Sequence, residues 1–278
     1  MILVADSGST KTDWAAIDGS VQRLQSIGLN PLFFTDESLE TTIYGALSDV
    51  DAEKVTGVYF YGSGCGLEVN KERLRKCFRS LFPNIIDVEV DTDLVGAAIA
   101  LYGKEKGIAC ILGTGANAGI YDGKTIVKTP LSLGYMLGDN GSGAVLGMQL
   151  IKLYLRGMLP KEVVEELENE YGVEYKNIIE SVYKKERPNK YFASFSPFVS
   201  KHKDTEPIHS MLVGEFREFF EYFIVPFCKE GKMPVRIIGS VGYYYRDVIE
   251  SVANEYGIRI DKIALKPIDL LIEHHKGE

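Results

Sequence analysis

Residues 2–17, ILVADSGSTKTDWAAI, read as a strand, a tight turn of small polar residues and a second strand. Four apolar residues lead to Asp6, the turn GSTKT begins at Gly8, and DWAAI carries the chain back. Asp18-Gly19 follows, a strong short hairpin signal, and VQRLQSI returns as a third strand. The pattern recurs from Gly107: strand IACIL, turn GTGAN, strand AGIY, then Asp122-Gly123 and strand TIVK. From the first glycine of each turn to its Asp-Gly pair, the two copies differ in length by one residue. A repeat of this kind governs the reading of the rest of the chain.

The repeat continues in order. VTGVYFY runs into GSGCG and the helical stretch NKERLRKCFRSLF; VRII runs into GSVG and the helical stretch YYRDVIESVANEYG. IDVEV ends on Asp91-Thr92-Asp93 and the small-residue helix LVGAAIALYG; RIDKIAL ends on Pro267, with Asp269 opening the helix LLIEHH. Residues from about 142 to 232 have no counterpart in the first copy. They are helical by period in SGAVLGMQLIKLYL, KEVVEELENEY, YKNIIESVY and HSMLVGEFREFFEYFIVPF.

A chain of 278 residues is long enough for two ordinary domains. Its net charge of −8 argues against a nucleic-acid or anionic-membrane surface, which needs a Lys/Arg excess. A phosphate site must therefore be built from local donors against an acidic background. MILVADSG is too short and wrongly flanked for a secretory signal, and no uncharged apolar run approaches the roughly 18 residues of a membrane span. The scattered cysteines Cys65, Cys77, Cys110 and Cys228 form no CxxC pair, which suits reduced thiols in the cytoplasm.

Several stretches carry chemistry. In DSGSTKT, Gly8 allows close backbone approach, and the amides of a tight turn make an anion-binding nest. Ser9, Thr10 and Thr12 add hydroxyls and Lys11 a charge, while Asp6 at the strand end suits Mg²⁺, held directly or through water. The alternative is a polar hairpin in which Asp6 bonds its own turn; no GxxxxGK[ST] loop is present. LGTGANAG (112–119) occupies the same place in the second copy, and the two together suit a phosphate clamp. IIGSVG sets Gly239 and Ser240 between a strand and a helix, where a negative group or a flat base is accommodated. Asp93 is either a general base for a hydroxyl acceptor or part of a helix start capped by Asp91 or Thr92. In GYMLGDNGSGAVLG (134–147), Asp139 and Ser142 are caps, or Asp139 binds Mg²⁺ or a sugar hydroxyl.

DSGSTKT, LGTGANAG, GYMLGDNGSGAVLG and IIGSVG together resemble the sugar-kinase/actin/Hsp70 superfamily, and within it the N-acetylglucosamine kinases grouped with the BadF/BadG/BcrA/BcrD ATPases. The resemblance runs nearly end to end. It implies an α/β, duplicated ribonuclease H-like (actin/hexokinase-type) fold of two lobes with a central cleft. Residues 1–104 are expected to form the first lobe, with the C-terminal helix 267–278 packing back on it. Residues 105–266 are expected to form the second, with the helical insertion at about 142–232.

By the same resemblance the activity is ATP- and Mg²⁺-dependent phosphorylation of an amino-sugar hydroxyl, with N-acetylglucosamine as acceptor. Asp6, Thr10 and Lys11 correspond to the first phosphate loop, where the Ser9 hydroxyl read above also falls, and Thr114 and Gly115 to the second. Gly239 and Ser240 correspond to the adenosine loop and Asp93 to the catalytic aspartate. Asn30 in GLNPLFF, Ala116, Asn117 and Asp139 fall to the sugar. A cytoplasmic homodimer without nucleic-acid or membrane partners is implied. The family's LGDEGS reads LGDNGS here, with Asn140 in place of an acid. Two alternatives stand beside this reading. One is the activator ATPase of 2-hydroxyacyl-CoA dehydratases, whose bridging cluster needs cysteines where only Cys65 stands; the other is a non-catalytic sugar or nucleotide sensor.

Overall fold

The computed structural model describes residues 1–228, 231 and 233–276. The ends expected for the helical insertion near 232 and for the final helix at 278 touch residues outside that set. The chain divides into two compact units. One comprises Met1–Ala109, Tyr121–Val127 and Lys266–Glu278; the other comprises Cys110–Ile120 and Lys128–Leu265.

In the first unit, β1 (Ile2–Ser7), β2 (Lys11–Asp18) and β3 (Ser20–Ile27) form the antiparallel hairpins that the two turn signals demand. After a 3₁₀ turn at Pro31–Phe33 and α1 (Asp36–Ala46), β4 (Gly57–Gly62) pairs parallel to β1. Then α2 (Glu68–Leu81) leads to β5 (Asp87–Thr92), parallel to β4, and to α3 (Asp93–Tyr102). The sheet order is β3-β2-β1-β4-β5. Its apolar face buries Trp14, Phe60 and Phe78, whose rings meet tilted and edge-on, with Leu3, Leu39 and Leu74 around them.

The second sheet contains β6 (Gly107–Leu112), β7 (Ala116–Tyr121) and β8 (Ile126–Lys128), then β9 (Val235–Ile238) and β10 (Ile260–Ala264), in the order β10-β9-β6-β7-β8. Read from its other edge and ranked along the chain, that order repeats the first sheet. The repeat seen in the sequence is therefore a repeat of topology. Between β8 and β9 lie α4 (Gly143–Leu155), α5 (Lys161–Tyr171), α6 (Tyr175–Tyr183), α7 (Pro188–Ala193), α8 (Ser196–Lys201), α9 (Ile208–Phe219) and α10 (Val225–Cys228). The long helix expected near 209–227 is interrupted by a π turn at Phe220–Ile224. The stretch after GSVG breaks at Tyr245 into α11 (Ser240–Tyr244) and α12 (Arg246–Glu255), because the Tyr245 ring is buried and its hydroxyl donates to the Ser196 carbonyl.

The final helix, α13 (Pro267–Lys276), starts two residues before Asp269 and packs on α3, β1 and β2. Its His275 is buried, stacks on Tyr59, and lies 3.2 Å from the Tyr61 hydroxyl. Among the described residues no helix is long and apolar enough to cross a membrane.

Candidate active site

Three parallel strands of the first unit, β1, β4 and β5, end side by side. Their register sets Asp6 beside Tyr61 and Tyr61 beside Asp91, then Ser7 beside Gly62 and Gly62 beside Thr92. In open α/β sheets the crevice outside the carboxyl ends of strands is where ligands bind, because backbone and helix starts converge there. Asp6, the 8–11 turn and Asp93 all leave the sheet at this edge.

The 8–11 turn is closed by the Gly8 N–H donating to the Lys11 carbonyl at 3.0 Å and is backed by the Gly28 N–H on the Thr10 carbonyl at 3.1 Å. Beneath it, Ser7 and Thr12 are wholly buried, their hydroxyls 2.8 Å apart; Thr12 donates to the Ile27 carbonyl, and Ser7 accepts from the Leu29 N–H at 3.0 Å. The Thr12 hydroxyl, expected to serve phosphate, is thus built into the strand junction. Ser9 is half-buried and Thr10 and Lys11 are exposed. The Lys11 ammonium lies 2.8 Å from Asp13, so its charge is already shared with a carboxylate.

Asp6 is half-buried, and its pKa is pushed up to about 7. Burial contributes most, followed by the charges of Asp93 and Asp13, with Lys11 opposing. At the start of α3 the cap is Thr92, whose hydroxyl oxygen accepts from the Val95 N–H at 3.2 Å. Asp91 instead accepts from Lys71 at 2.8 Å and from the Thr92 N–H at 2.7 Å. Asp93 is the first helical residue and accepts from the Leu94 N–H at 2.9 Å. Capping, Asp91 and Asp93 thus have three separate physical situations where the sequence offered one choice.

Asn30, expected to read the sugar, caps the 3₁₀ turn by accepting from the Leu32 N–H at 3.0 Å. Its carboxamide also lies over Gly64, where a Cβ would stand 2.1 Å from Asn30 Oδ1, and Gly64 takes φ +84°. Only glycine suits that place. The neighbouring Cys65 thiol is fully buried and pushed up to about 12, by burial first and the Asp93 charge second.

In the second unit, Thr114 and Gly115 lie in the turn between β6 and β7. The first amides of α4 fold onto this turn: Gly143 donates to the Gly113 carbonyl at 2.8 Å and Ala144 to the Thr114 carbonyl at 3.1 Å. Ser142, fully buried, caps the helix by accepting from the Val145 N–H. Gly239 takes φ +126°, and a Cβ there would stand 2.3 Å from the Leu112 carbonyl oxygen, so the Gly239–Ser240 loop presses directly on the 112–113 backbone. Gly239 donates to the Ala264 carbonyl at 3.0 Å, and Ser240 is exposed.

Asp139 has φ +53° and sits at the head of the turn before α4, with Ser142 donating to its carbonyl at 2.9 Å. A Cβ on Gly115 would be 3.2 Å from its carboxylate, which accepts from the Ala116 N–H; burial holds its pKa above the usual carboxylate range. Asn117 lies one strand position on, its Oδ1 accepting from the Ala118 N–H at 2.9 Å. Thr114, Gly115, Ala116, Asp139, Gly239 and Ser240 therefore form one neighbourhood within this unit.

No protein-family model and no curated protein matches the chain. A solved structure of a candidate N-acetylglucosamine kinase from Porphyromonas gingivalis does, at 38% identity and TM-score 0.93, over 100% of this chain and 99% of that one. The chain belongs to the N-acetylglucosamine kinase family. A second candidate N-acetylglucosamine kinase, from Chromobacterium violaceum, matches at 18% identity and TM-score 0.74, over 98% of each chain. The ROK hexokinase of Thermus thermophilus matches at 13% identity and TM-score 0.54, over 95% of this chain and 92% of that one. At those lower identities the likeness is one of fold, and the fold is the actin/hexokinase type.

Residues that the sequence reading did not single out also shape these neighbourhoods: Lys71 beside Asp91, Ser7 under the turn, and Glu215 and Glu218 beside the Asp139 turn. Glu215 had a visible signal, since it falls on the apolar stripe of α9 with Leu212, Phe216 and Phe219.

Proposed function

We propose that the chain is an ATP-dependent kinase that phosphorylates a hydroxyl of an amino sugar, with N-acetylglucosamine as acceptor. The observation that carries this reading is the end-to-end likeness, at 38% identity, to the Porphyromonas gingivalis candidate N-acetylglucosamine kinase. The residue environments support it.

Asp93 accepts the proton of the acceptor hydroxyl as that oxygen bonds to the terminal phosphorus of ATP; the bond from phosphorus to the bridging oxygen breaks, and ADP leaves. Asp93 is favoured over Asp91 because Asp91 is held by Lys71 and the Thr92 amide. Asn30, Ala116, Asn117 and Asp139 bind and orient the sugar. The 8–11 turn, with Ser9, Thr10 and Lys11, and the Thr114–Gly115 turn serve the phosphates; Gly239 and Ser240 serve the adenosine.

Asp6 is the residue that would hold Mg²⁺. The fit is one of charge: its carboxyl is raised to about 7 by burial and two neighbouring acids, an environment in need of a cation. One carboxylate is enough for an ion that keeps several of its waters and takes its remaining ligands from substrate phosphates. When bound, Mg²⁺ supplies charge neutralisation at the phosphates. Cys65, buried with its thiol raised, is unsuited to the exposed cluster ligation of an activator ATPase.

The test is ADP release with ATP and Mg²⁺ against a panel of amino sugars and plain hexoses. Turnover with N-acetylglucosamine, well above that with glucose, is expected. ADP release that no sugar stimulates would overturn the assignment.

A further inference from the structure

One helix of the second unit, α9, reaches the Asp139 turn with two carboxylates a helical turn apart. Glu215 is only 7% exposed and sits among Leu212, Phe216 and Phe219. An acid in such a place is costly unless its oxygens are occupied. Gln149 donates to one at 2.6 Å, and the Gly141 N–H approaches the other at 3.5 Å. Glu218, at the surface, accepts from the Asn140 side chain at 2.5 Å. Phe216 and Phe219 lie directly against Gly141. The turn from Asp139 to Ser142 is therefore gripped from one side at two consecutive residues.

We propose that Glu215 and Glu218 are positioning residues for the acceptor sugar: α9 clamps the 139–142 turn and thereby fixes the Asp139 carboxylate against the Gly115–Ala116 backbone. This rests on the reading of Asp139 as a sugar contact. It also accounts for the departure at Asn140. An acid there, as in LGDEGS, would add a third carboxylate beside Glu218 and Glu215, where burial and the Glu218 charge already hold Glu215 above the usual carboxylate range. An amide at 140 donates instead. Positions 140 and 218 thus form a donor–acceptor pair that can be exchanged.

The experiment compares wild type, Asn140→Glu, Glu218→Gln, the double variant and Glu215→Gln. Amide hydrogen exchange at residues 141–143 is read without ligands, and KM is measured for N-acetylglucosamine and for ATP. Asn140→Glu should speed exchange and raise the sugar KM, each by about ten-fold, the loss of roughly one charge-assisted hydrogen bond, with the ATP KM unchanged. The double variant should restore both, because the amide introduced at position 218 can donate to the carboxylate introduced at position 140. Glu215→Gln should act in the same direction as Asn140→Glu. Unchanged exchange in Asn140→Glu, no rescue in the double variant, or faster exchange with an unmoved sugar KM would each overturn the proposal. If wild type turns over no sugar, the exchange measurements still decide the clamp, and that failure belongs to the functional assignment alone.

Discussion

Replacing Thr92 and Asp93 one at a time separates helix capping from chemistry at the start of α3. The Thr92 hydroxyl accepts from the Val95 N–H at 3.2 Å, the long end of the ordinary range. Thr92→Val keeps the shape and removes that cap, a loss of about 0.5–1 kcal/mol. In a chain of this size it corresponds to a fall in melting temperature of about 1–4 °C. Turnover should stay within about two-fold of wild type, since the change is small beside the decade in rate that 1.36 kcal/mol represents. Asp93→Asn has the opposite profile. The carboxamide oxygen that replaces the carboxylate can still accept from the Leu94 N–H, a contact of 2.9 Å in the native chain, so melting should move by no more than about 1 °C. The proton acceptor is gone, however, and positioned base catalysis is worth about 10²–10⁴-fold in kcat. That is about 2.7–5.4 kcal/mol of transition-state stabilisation. Thermal unfolding and saturating ADP-release rates on the two variants make the measurement. Near-normal turnover in Asp93→Asn would refute the base assignment. A collapse of turnover in Thr92→Val as deep as in Asp93→Asn would show that the helix start, rather than the carboxylate, controls the rate.

Gly239→Ala forces a Cβ to within 2.3 Å of the Leu112 carbonyl oxygen at φ +126°, and backbone strain plus overpacking should cost about 2–5 kcal/mol; an unchanged melting temperature would refute the tight approach of the two loops. His202 is partly buried, with Nε2 3.1 Å from a Glu166 oxygen but not aligned to hydrogen-bond it, and burial lowers its pKa below the ordinary 6.5. The unfolded chain therefore takes up a proton that the folded chain resists, so this residue costs stability as pH falls below 6.5 and costs nothing above it. His202→Gln should raise the melting temperature relative to wild type at about pH 5 and leave the difference flat between about pH 7.5 and 8.5, and an equal difference at all three would refute the linkage.

The fold was legible because its signals are local and then repeated. Asp18-Gly19 and Asp122-Gly123 mark hairpins through the backbone conformations that glycine allows, and glycine takes φ +69° and +97° at these two positions. Apolar runs around them set the strands, and the recurrence of turn and strand at Gly113 set the second sheet. Where packing overrode local pattern, the reading was less complete. The stretch after GSVG is continuous by period, yet it breaks because Tyr245 turns inward to the Ser196 carbonyl, some fifty residues away along the chain. The 209–227 stretch carries its own signal in Pro226, which has no N–H to give the Tyr222 carbonyl and whose ring crowds it; the helix widens into the π turn at Phe220–Ile224 just before that proline.

The site divides along the same line. Glycine-rich turns and acids at strand ends are visible because their positions follow from the strand–turn pattern alone. What surrounds them is not. Lys71 reaches Asp91 across twenty residues, a contact that the sequence around Asp91 does not announce. Asn30 looks idle between Gly28 and Pro31 because its cap lies ahead of it and Gly64 lies far beyond in the chain. Asn140 read as a lost acid, yet Glu218, seventy-eight residues on, supplies a carboxylate to the same contact and turns the loss into an exchange of donor for acceptor. A motif fixes where a side chain stands along the backbone, whereas its charge state and partner are set by elements that arrive from elsewhere in the fold. For this chain the first kind of information singles out candidate residues, and the second kind explains why a departure from the family pattern at one of their neighbours need not weaken the site.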